Sequence, residues 1–314
     1  MAYKLKLRES LESGVRRILA EQCERAASGL ACQSDAVTAV HDARKCIKRS
    51  RALLRLVRPA IGDAVWKDHD AALRDVGRGL SAIRDRDVLR QTVEKLKSGA
   101  TPTLKKALAV IGMQLADGEP GDSAPAPEEG KRQLMQTAAL LDAVSVRLRK
   151  LHVPGSFETC VEPGIERGHA KARRLLIEVR QAPAPETLHE LRKAIQVHWR
   201  HMVVLSAAWP EVMKGRAAEA RNVSNLLGED RDLTLLEAHI ATNTGGLTRS
   251  AVATIRRAIA SRRRAIAAEA FPRAERLLVG KPARFARDLT RQWSIAAGLS
   301  EKPRSRQSAE KLDA

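Results

Sequence analysis

A run of basic residues around one histidine, residues 40–59 (VHDARKCIKRSRALLRLVRP), has a composition that could bind an anion. On a helical wheel at about 100° per residue, five of its basic residues fall within about 80° either side of His41, with Arg49 at the edge of that arc: Arg44, Lys45, Lys48, Arg51 and Arg55. The opposite side is apolar, and Asp42 is the only carboxylate in the run. Positive charges recur along the run at three or four residues and at seven residues, and like charges on neighbouring turns repel one another. The pattern therefore predicts an amphipathic helix whose cationic column faces an anion; the alternative is an ordinary solvated face.

The same pattern occurs again later in the chain. LHELRKAI (188–195) repeats VHDARKCI (40–47) at one constant offset. At this offset His189, Arg192 and Lys193 match His41, Arg44 and Lys45, in that order. LLGEDRDLTLL (226–236) then repeats GLSAIRDRDVL (79–89). Lys214 and Arg221 match Lys67 and Arg74 at that second offset, which differs from the first by one residue. The order and the spacing of these matches agree over about forty-five residues, which predicts two similar helical halves related by a pseudo-two-fold axis.

Composition favours an all-α protein with an anionic partner. The chain has 314 residues, of which 44% are apolar and only 3% aromatic, and this mixture suits helices better than sheets. A net charge of +19 points to a polyanion or an anionic surface. The absence of any apolar run of about 18 residues predicts no membrane span. Four widely spaced cysteines predict reduced, mostly buried thiols in the cytoplasm.

Local signals divide the chain into helices and one linker. Ser34 or Asp35 should cap the helix that contains His41, and Pro59 should end that helix or lie just past its end. The other predicted helices are about 4–28, 63–80, 101–115, 131–151, 158–181 and 247–270. One more helix follows residues 80–89 and ends near 97, and another begins near Pro185-Glu186 and holds residues 188–205. Residues 117–130 combine Gly, Pro, Ser and acids, which predicts a flexible linker. We expect one domain over 1–300, made of half 1 (1–116) and half 2 (131–300), followed by a disordered tail, 301–314.

Two enzyme interpretations need to be weighed. His41-Asp42 and His69-Asp70, with Asp85 or Asp87, superficially resemble the metal ligands of HD-type phosphohydrolases. The surrounding cations would repel a metal ion, and the repeat changes Asp42 to Glu190 and has no counterpart of His69-Asp70. No GxSxG, Walker or ExExK motif is present. We therefore predict no catalysis, no cofactor and no metal.

Several polar residues have both a structural and a binding interpretation. The pairs Arg84-Asp85 and Arg231-Asp232 are expected at helix starts, where the acid can cap backbone N–H groups. A lone histidine such as His41 is usually a buried, hydrogen-bonded core residue, but its duplication beside Arg and Lys favours phosphate contact. Nucleic acid is the competing ligand, although the aromatic platforms and groove-entering motifs that nucleic-acid binders use are not evident.

Taken together, four segments resemble the family of the CHAD domain, the conserved histidine α-helical domain, over about residues 1–300. The segments are VHDARKCIKRSRALLRLVRP, LHELRKAIQVHWRHMVVL, LLGEDRDLTLL and VGKPARF…W. The resemblance implies two bundle-like halves around a strongly basic groove or pore. It also implies binding of inorganic polyphosphate and localisation to polyphosphate granules. This chain departs from the family pattern at Gln196, where a lysine is usually expected, and at Arg200, where an aromatic residue is often found. With only His189, Arg192, Lys193 and Arg200 on its polar side, the second helix is less basic than the first. We expect a stand-alone binder without the triphosphatase-like domain found fused to some members.

The predicted ligand is inorganic polyphosphate, with granule-associated proteins as further candidate partners; nucleic acid binding and metal-dependent phosphohydrolysis stay as alternatives. The predicted polyphosphate-binding residues are His41, Arg44, Lys45, Lys48, Arg49, Arg51, Arg55, Lys67, Arg74, Arg167, Lys171, His189, Arg192, Lys193, Arg200, Lys214, Arg221 and Arg264.

Overall fold

The computed structural model describes residues 3–32, 35–80, 85–117 and 127–300. Within these ranges the chain forms eleven α-helices and no β-strand, which confirms the predicted all-α fold class. The helices are α1 (Leu11–Cys32), α2 (Ala36–Ile61), α3 (Asp63–Gly79), α4 (Asp85–Lys97), α5 (Pro102–Asp117), α6 (Pro127–Arg149), α7 (Phe157–Gln181), α8 (Pro185–Val204), α9 (Pro210–Thr242), α10 (Arg249–Leu277) and α11 (Pro282–Ser300).

Three clusters of buried apolar side chains hold these helices together. The first joins α1, α2, α3 and α6 to the ends of α7, α8, α9 and α11. The second lies among α7, α8, α9 and the C-terminal part of α10. The third joins α4 and α5 to the C-terminal half of α9 and the N-terminal part of α10. The α4–α5 pair thus belongs to the predicted half 1 in sequence but packs on α9 and α10.

Helix α2 lies at the centre of the first cluster. It packs on α1, α3, α7 and α8, and its side chains Leu53 and Leu54 are fully buried. Burial of one such side chain contributes about 1.5–3 kcal/mol, so the apolar stripe fixes the rotation of the helix and turns its basic side away from the core. At Gly164 of α7 the two backbones nearly touch, because a Cβ atom there would lie 1.8 Å from the carbonyl oxygen of Leu56.

The two halves share an order of packing. Helix α1 packs on α2 and α2 on α3, while α7 packs on α8 and α8 on α9. The helices of each half that carry the repeated sequences also meet each other, since His201 Nε2 of α8 lies 3.0 Å from the carbonyl oxygen of Ala52 of α2. The pseudo-two-fold relation and the basic groove or pore stay predictions.

The N-terminal segment differs from its prediction, because α1 begins at Leu11 and not near residue 4. Residues before it pack across α8, where the Leu5 N–H donates to the carbonyl of Val204 at 2.9 Å. Tyr3 and Leu5 are buried in the first cluster. Tertiary packing of these two side chains therefore outweighs the local helical pattern.

The start of α2 is confirmed and its end is not. Asp35 Oδ1 accepts bonds from the N–H groups of Val37 and Thr38 at 3.1 and 3.2 Å, whereas Ser34 lies outside the described residues. Pro59 lies inside α2, which continues to Ile61. The helix ends at Gly62, whose φ of 81° is a backbone conformation that favours glycine.

Helix α9 contradicts the expected helix start at Arg231-Asp232, because it runs without a break from Pro210 to Thr242. The pair lies well inside this helix, where backbone N–H groups bond to preceding carbonyls and need no cap. Of the other pair, Arg84 lies outside the described residues. The predicted starts at Asp63 and Pro102 are confirmed.

The remaining predictions concern the linker, the tail and the thiols. Residues 127–130 of the predicted linker belong to α6, and residues 118–126 and 301–314 lie outside the described part. Cys23, Cys46 and Cys160 are buried free thiols, and Cys32 is an exposed one. Among the described residues, no helix is long and apolar enough to cross a membrane.

Candidate functional site

The basic face of α2 has an exposed layer and an inner layer. His41, Lys45 and Lys48 are exposed, and Lys45 Nζ lies 3.8 Å from the Asp42 carboxylate. Exposed lysines on long side chains can follow a ligand as adaptable point charges. The arginines of α2 in the predicted set are half-buried and engaged with neighbouring elements.

A carboxylate from α3 neutralises part of the inner layer. Asp70 is only 5% exposed and accepts two parallel bonds from Arg51, 2.9 Å from Nε to Oδ1 and 2.8 Å from Nη2 to Oδ2. Arg55 Nη2 lies 3.6 Å from the same carboxylate. The sequence interpretation did not pair Asp70 with these arginines, although a basic column without its own acids leaves room for an acid from elsewhere in the fold.

Two further arginines of α2 hold neighbouring elements. Arg44 Nη1 donates to the carbonyl of Leu80, at the end of α3, at 2.8 Å. Arg49 donates to the side chain of Gln22, and its guanidinium carbon lies 5.5 Å from the centre of the Tyr3 ring. These guanidinium groups thus combine a positive charge with a structural task.

On α8 the histidine is less accessible than on α2. His189 is half-buried, and its Nδ1 has no hydrogen-bond partner among the described residues. Burial, followed by the charges of Lys193 and Arg231, lowers the pKa of His189 to about 4, so the ring is neutral near physiological pH. A neutral ring can still donate one hydrogen bond to a phosphate oxygen.

Glu190 partly neutralises the lysines beside that histidine. Its carboxylate lies 2.6 Å from Lys193 Nζ and 3.6 Å from Lys171 Nζ of α7. These contacts hold the pKa of the Glu190 carboxyl below its usual value. Exposed pairs of this kind are worth about 0–1 kcal/mol, so a polyanion can compete for both lysines.

Arg192 and Arg200 form the inner layer of α8. Arg192 Nε lies 3.4 Å from the carbonyl of Ser224, and its guanidinium is so close to Gly228 that a Cβ there would lie 3.1 Å from Nη2. Arg200 is 8% exposed and donates to the carbonyl of Gln196, with no carboxylate within 4.0 Å among the described residues.

Arg200 lies where the two basic faces converge. Burial lowers the pKa of Arg200 to about 10, and the positive charges of Arg49 and Arg55 on α2 act in the same direction. The guanidinium keeps its charge near physiological pH. The junction of α2 and α8 therefore contains a concentration of positive charge in a poorly hydrated environment, where electrostatic fields are screened less than in water.

Helices α3 and α7 add exposed cations at the edge of this junction. Bonds from Arg58 hold the pKa of the Asp63 carboxyl below its usual value, and the charges of Arg167 and Lys67 contribute to the shift. Arg167 of α7 and Lys67 of α3 therefore both lie in the neighbourhood of Asp63, although they are far apart in sequence. Both side chains are exposed.

The structure does not bring every predicted residue to this junction. Arg221 of α9 lies 5.6 Å from the ring centre of Trp199, beside Arg200, and so adjoins it. Arg74 and Lys214 are exposed on α3 and α9 without a contact that joins them to α2. Arg264 lies on α10, which packs mainly on α9 and α5.

The candidate metal ligands of the HD-type interpretation do not form a metal-binding group in the described part of the chain. Asp70 holds Arg51, and burial lowers the pKa of His69, whose Nδ1 has no partner among the described residues. The side chains of Asp85 and Asp87 lie outside the described part. In the part that the structure describes, no three His, Cys, Asp or Glu side chains form a metal-binding group.

A polar groove that the sequence interpretation missed adjoins Arg192. A cavity of about 540 Å³ is lined by Lys95 of α4, Asn222 and Asn225 of α9 and Arg273 of α10, among others. A second cavity of about 440 Å³ shares Lys95 with it. Four helices, α4, α8, α9 and α10, build this groove, and no local motif in the chain signals it.

These features define an all-α protein with exposed cations above an inner layer of buried and half-buried arginines. The family model of the CHAD domain matches residues 16–241, which is most of the chain. The chain therefore belongs to the CHAD domain family. The matched stretch includes the basic faces of α2 and α8 and ends before α10 begins. A search of curated proteins found no match.

Proposed function

We propose that this protein binds inorganic polyphosphate at the junction of α2, α3, α7 and α8, and that the binding is not catalytic. The observation that carries the proposal is the arrangement of exposed cations above the inner arginines on α2, α3, α7 and α8, which all lie within the family match. The exposed side chains of this arrangement are His41, Lys45, Lys48, Lys67, Arg167, Lys171 and Lys193.

The inner and outer layers have different physical tasks in this proposal. Arg51, Arg55 and Arg200 are held in place by the fold and supply a fixed positive potential. The exposed lysines contact phosphate oxygens and adapt to the position of the chain. Each phosphate that is neutralised releases counterions, so we expect affinity to fall steeply with salt.

The aromatic side chains favour polyphosphate over nucleic acid. All eight aromatic residues lie in the described ranges, and only Trp209 is exposed. Arginines lie over the rings of Trp66 and Trp199, with guanidinium carbons 3.9 and 5.1 Å from the ring centres. Phe157 and Trp293 stack on each other. Single-stranded nucleic acid needs several exposed rings on which bases stack, worth about 1–3 kcal/mol per base, and one exposed ring does not form such a platform.

The proposal extends to the setting of the protein. A protein that binds long polyphosphate chains would be concentrated at polyphosphate granules in the cytoplasm, where granule-associated proteins are its candidate partners. Membrane insertion is not part of the proposal. Fluorescence imaging of the tagged protein in cells with and without polyphosphate synthesis tests this extension, and a distribution independent of polyphosphate would contradict it.

Calorimetric titration tests the binding itself. Long-chain polyphosphate, single-stranded DNA and tripolyphosphate are titrated at matched phosphate charge and at two salt concentrations. We expect tight, salt-sensitive binding of long-chain polyphosphate and much weaker binding of DNA. Equal affinity for polyphosphate and DNA would indicate a general polyanion surface and contradict the proposed specificity.

A further inference from the structure

Helix α10 carries a second concentration of arginines. Residues 249–268 contain six arginines and no acidic residue. Two of the six are paired with α9: Arg262 bonds the carboxylate of Glu229, and Arg263 bonds that of Asp230. The other four are exposed, and we call them the α10 arginine stripe: Arg249, Arg256, Arg257 and Arg264.

The stripe is a continuous surface feature because of its helical spacing. Its members fall within an arc of about 100° and span about 22 Å along the helix axis. On the other side of α10, Ile255, Ile259 and Ile266 are buried in the third apolar cluster. That packing fixes the rotation of the helix, so the stripe cannot turn inward. Small alanines at 253, 260 and 267 separate its arginines along the surface.

Nothing in the described part of the chain neutralises the stripe. None of its four guanidinium groups has a carboxylate within 4.0 Å among the described residues. Arg257 Nη2 donates a hydrogen bond to the hydroxyl of Thr254 at 3.3 Å. Four positive charges without a carboxylate partner, spread over about 22 Å of helix, create a local positive potential. An external anion would neutralise this potential.

The stripe is separate from the junction surface described above. Helix α2 belongs to the first apolar cluster, whereas the part of α10 that carries the stripe belongs to the third. The main partners of α10 are α9 and α5, while those of α2 are α1, α3, α7 and α8. The stripe also lies beyond residue 241, outside the stretch that matches the CHAD domain.

We propose that the α10 arginine stripe is a second binding surface for a linear polyphosphate chain. This inference rests on the proposed function and adds to it. Arginine forks bind phosphate oxygens in pairs, and a single file of them along a straight helix suits one extended anionic chain. Long chains then engage two surfaces of the protein, which raises their affinity by effective concentration, while short chains engage only one.

Two other occupants fit less well. A membrane surface would require large apolar side chains beside the cations, and the stripe is interrupted only by small residues. Single-stranded nucleic acid would require exposed rings, and α10 has only the half-buried Phe271. Both occupants are outcomes that the experiment distinguishes.

The experiment replaces the four arginines of the stripe with Gln, which preserves helix propensity. A matched control removes the same number of exposed positive charges elsewhere, by Arg132→Gln, Lys150→Gln, Arg284→Gln and Arg291→Gln on or beside α6 and α11. Circular dichroism and thermal unfolding check that both variants fold. If the fourfold variant does not fold, the double variant Arg256→Gln/Arg257→Gln takes its place.

Both variants are titrated with tripolyphosphate, long-chain polyphosphate, single-stranded DNA and vesicles of anionic phospholipid. Relative to the control, we expect the stripe variant to bind long chains about tenfold more weakly, with a salt slope smaller by about 3, and to bind tripolyphosphate equally well. Equal long-chain affinity in the stripe and control variants overturns this inference and leaves the proposed function intact.

The other outcomes are equally decisive. A loss confined to DNA or to vesicles would assign the stripe to that ligand and contradict our assignment. If the unmodified protein binds no polyphosphate, the proposed function fails, and the inference that rests on it fails as well.

Discussion

On α2, two arginines share one buried carboxylate from the next helix, whereas on α8 the corresponding positions are not charged. At the offset that matches His41 with His189, Arg51 and Arg55 correspond to Trp199 and Val203. At the second offset Asp70 corresponds to Ala217. The second half thus lacks both the arginine pair and its carboxylate. Their joint absence is expected, because a buried carboxylate without a cationic partner would lower the stability of the fold.

The comparison shows that a repeated sequence does not imply repeated electrostatics. The first half places its exposed lysines above arginines held by Asp70. The second half buries Arg200 without a carboxylate and ties its lysines to Glu190. We therefore expect the first half to contribute more to ligand affinity, and the second half to be more sensitive to burial of charge.

The largest expected effect is the acid sensitivity of the second half. His169, His198 and His201 are buried among α7, α8 and Phe285, with Arg216 nearby. Burial lowers the pKa of His169 and of His201 to about 4. Because the unfolded chain has histidine pKa values near 6.5, it binds protons more tightly, and stability is lost as the pH falls from about 6.5 towards 4.

Each of these two histidines should lower the free energy of unfolding by about 2 kcal/mol between pH 7 and pH 5. Denaturant unfolding at the two pH values measures the loss. His169→Leu, an apolar replacement beside Phe285, should reduce the total loss by about 2 kcal/mol, which is the share of that one histidine. The control His41→Gln replaces an exposed histidine of α2 and should leave the loss nearly unchanged. An identical loss in the His169 variant would show that these buried rings do not cause the acid sensitivity.

The second effect concerns the carboxylate that only the first half has. Asp70→Asn leaves Arg51 without its charged partner and should lower the free energy of unfolding by about 3 kcal/mol. Urea titration measures this change. The control Asp75→Asn removes an exposed acid of the same helix and should cost less than about 0.5 kcal/mol. Equal effects of the two variants would mean that the buried pair does not distinguish the halves.

The third effect compares the exposed lysines of the halves directly. Replacing Lys45, Lys48 and Lys67 with Gln should weaken long-chain polyphosphate binding about thirtyfold at low salt, through lost phosphate contacts. The matched triple variant of the second half carries Gln at 171, 193 and 214. It should weaken binding only about threefold, because two of these lysines already pair with Glu190. Calorimetry would contradict the asymmetry if both triples lost affinity equally.

The smallest expected effect tests the same comparison of the two halves by removing an acid instead of lysines. Glu190→Gln releases Lys171 and Lys193 and should strengthen polyphosphate binding about twofold, with stability changed by less than about 0.5 kcal/mol. Glu186→Gln, at an exposed position of the first turn of the same helix, is the control. Weaker binding in the Glu190 variant would indicate that this carboxylate positions the lysines productively.

Much of the architecture follows from local sequence signals. Period-3.6 patterning, the side chain of Asp35 and the Thr101-Pro102 start place most helices, because capping and apolar spacing act within one or two turns. The duplicated His-x-x-Arg-Lys pattern and the net charge of +19 likewise identify the two basic faces from the sequence alone. Errors occur where distant packing decides, as in the N-terminal segment, where Tyr3 and Leu5 pack across α8.

Only the tertiary structure determines which charges are neutralised. The sequence contains Arg51 and Asp70 but does not pair them, and it does not show that Arg231-Asp232 lies inside an unbroken α9. Periodicity predicts the side of a helix on which a cation lies. Whether that cation meets a carboxylate, a carbonyl or solvent depends on the neighbouring helix, because a charge–charge contact is decided over a few ångströms between residues far apart in the chain.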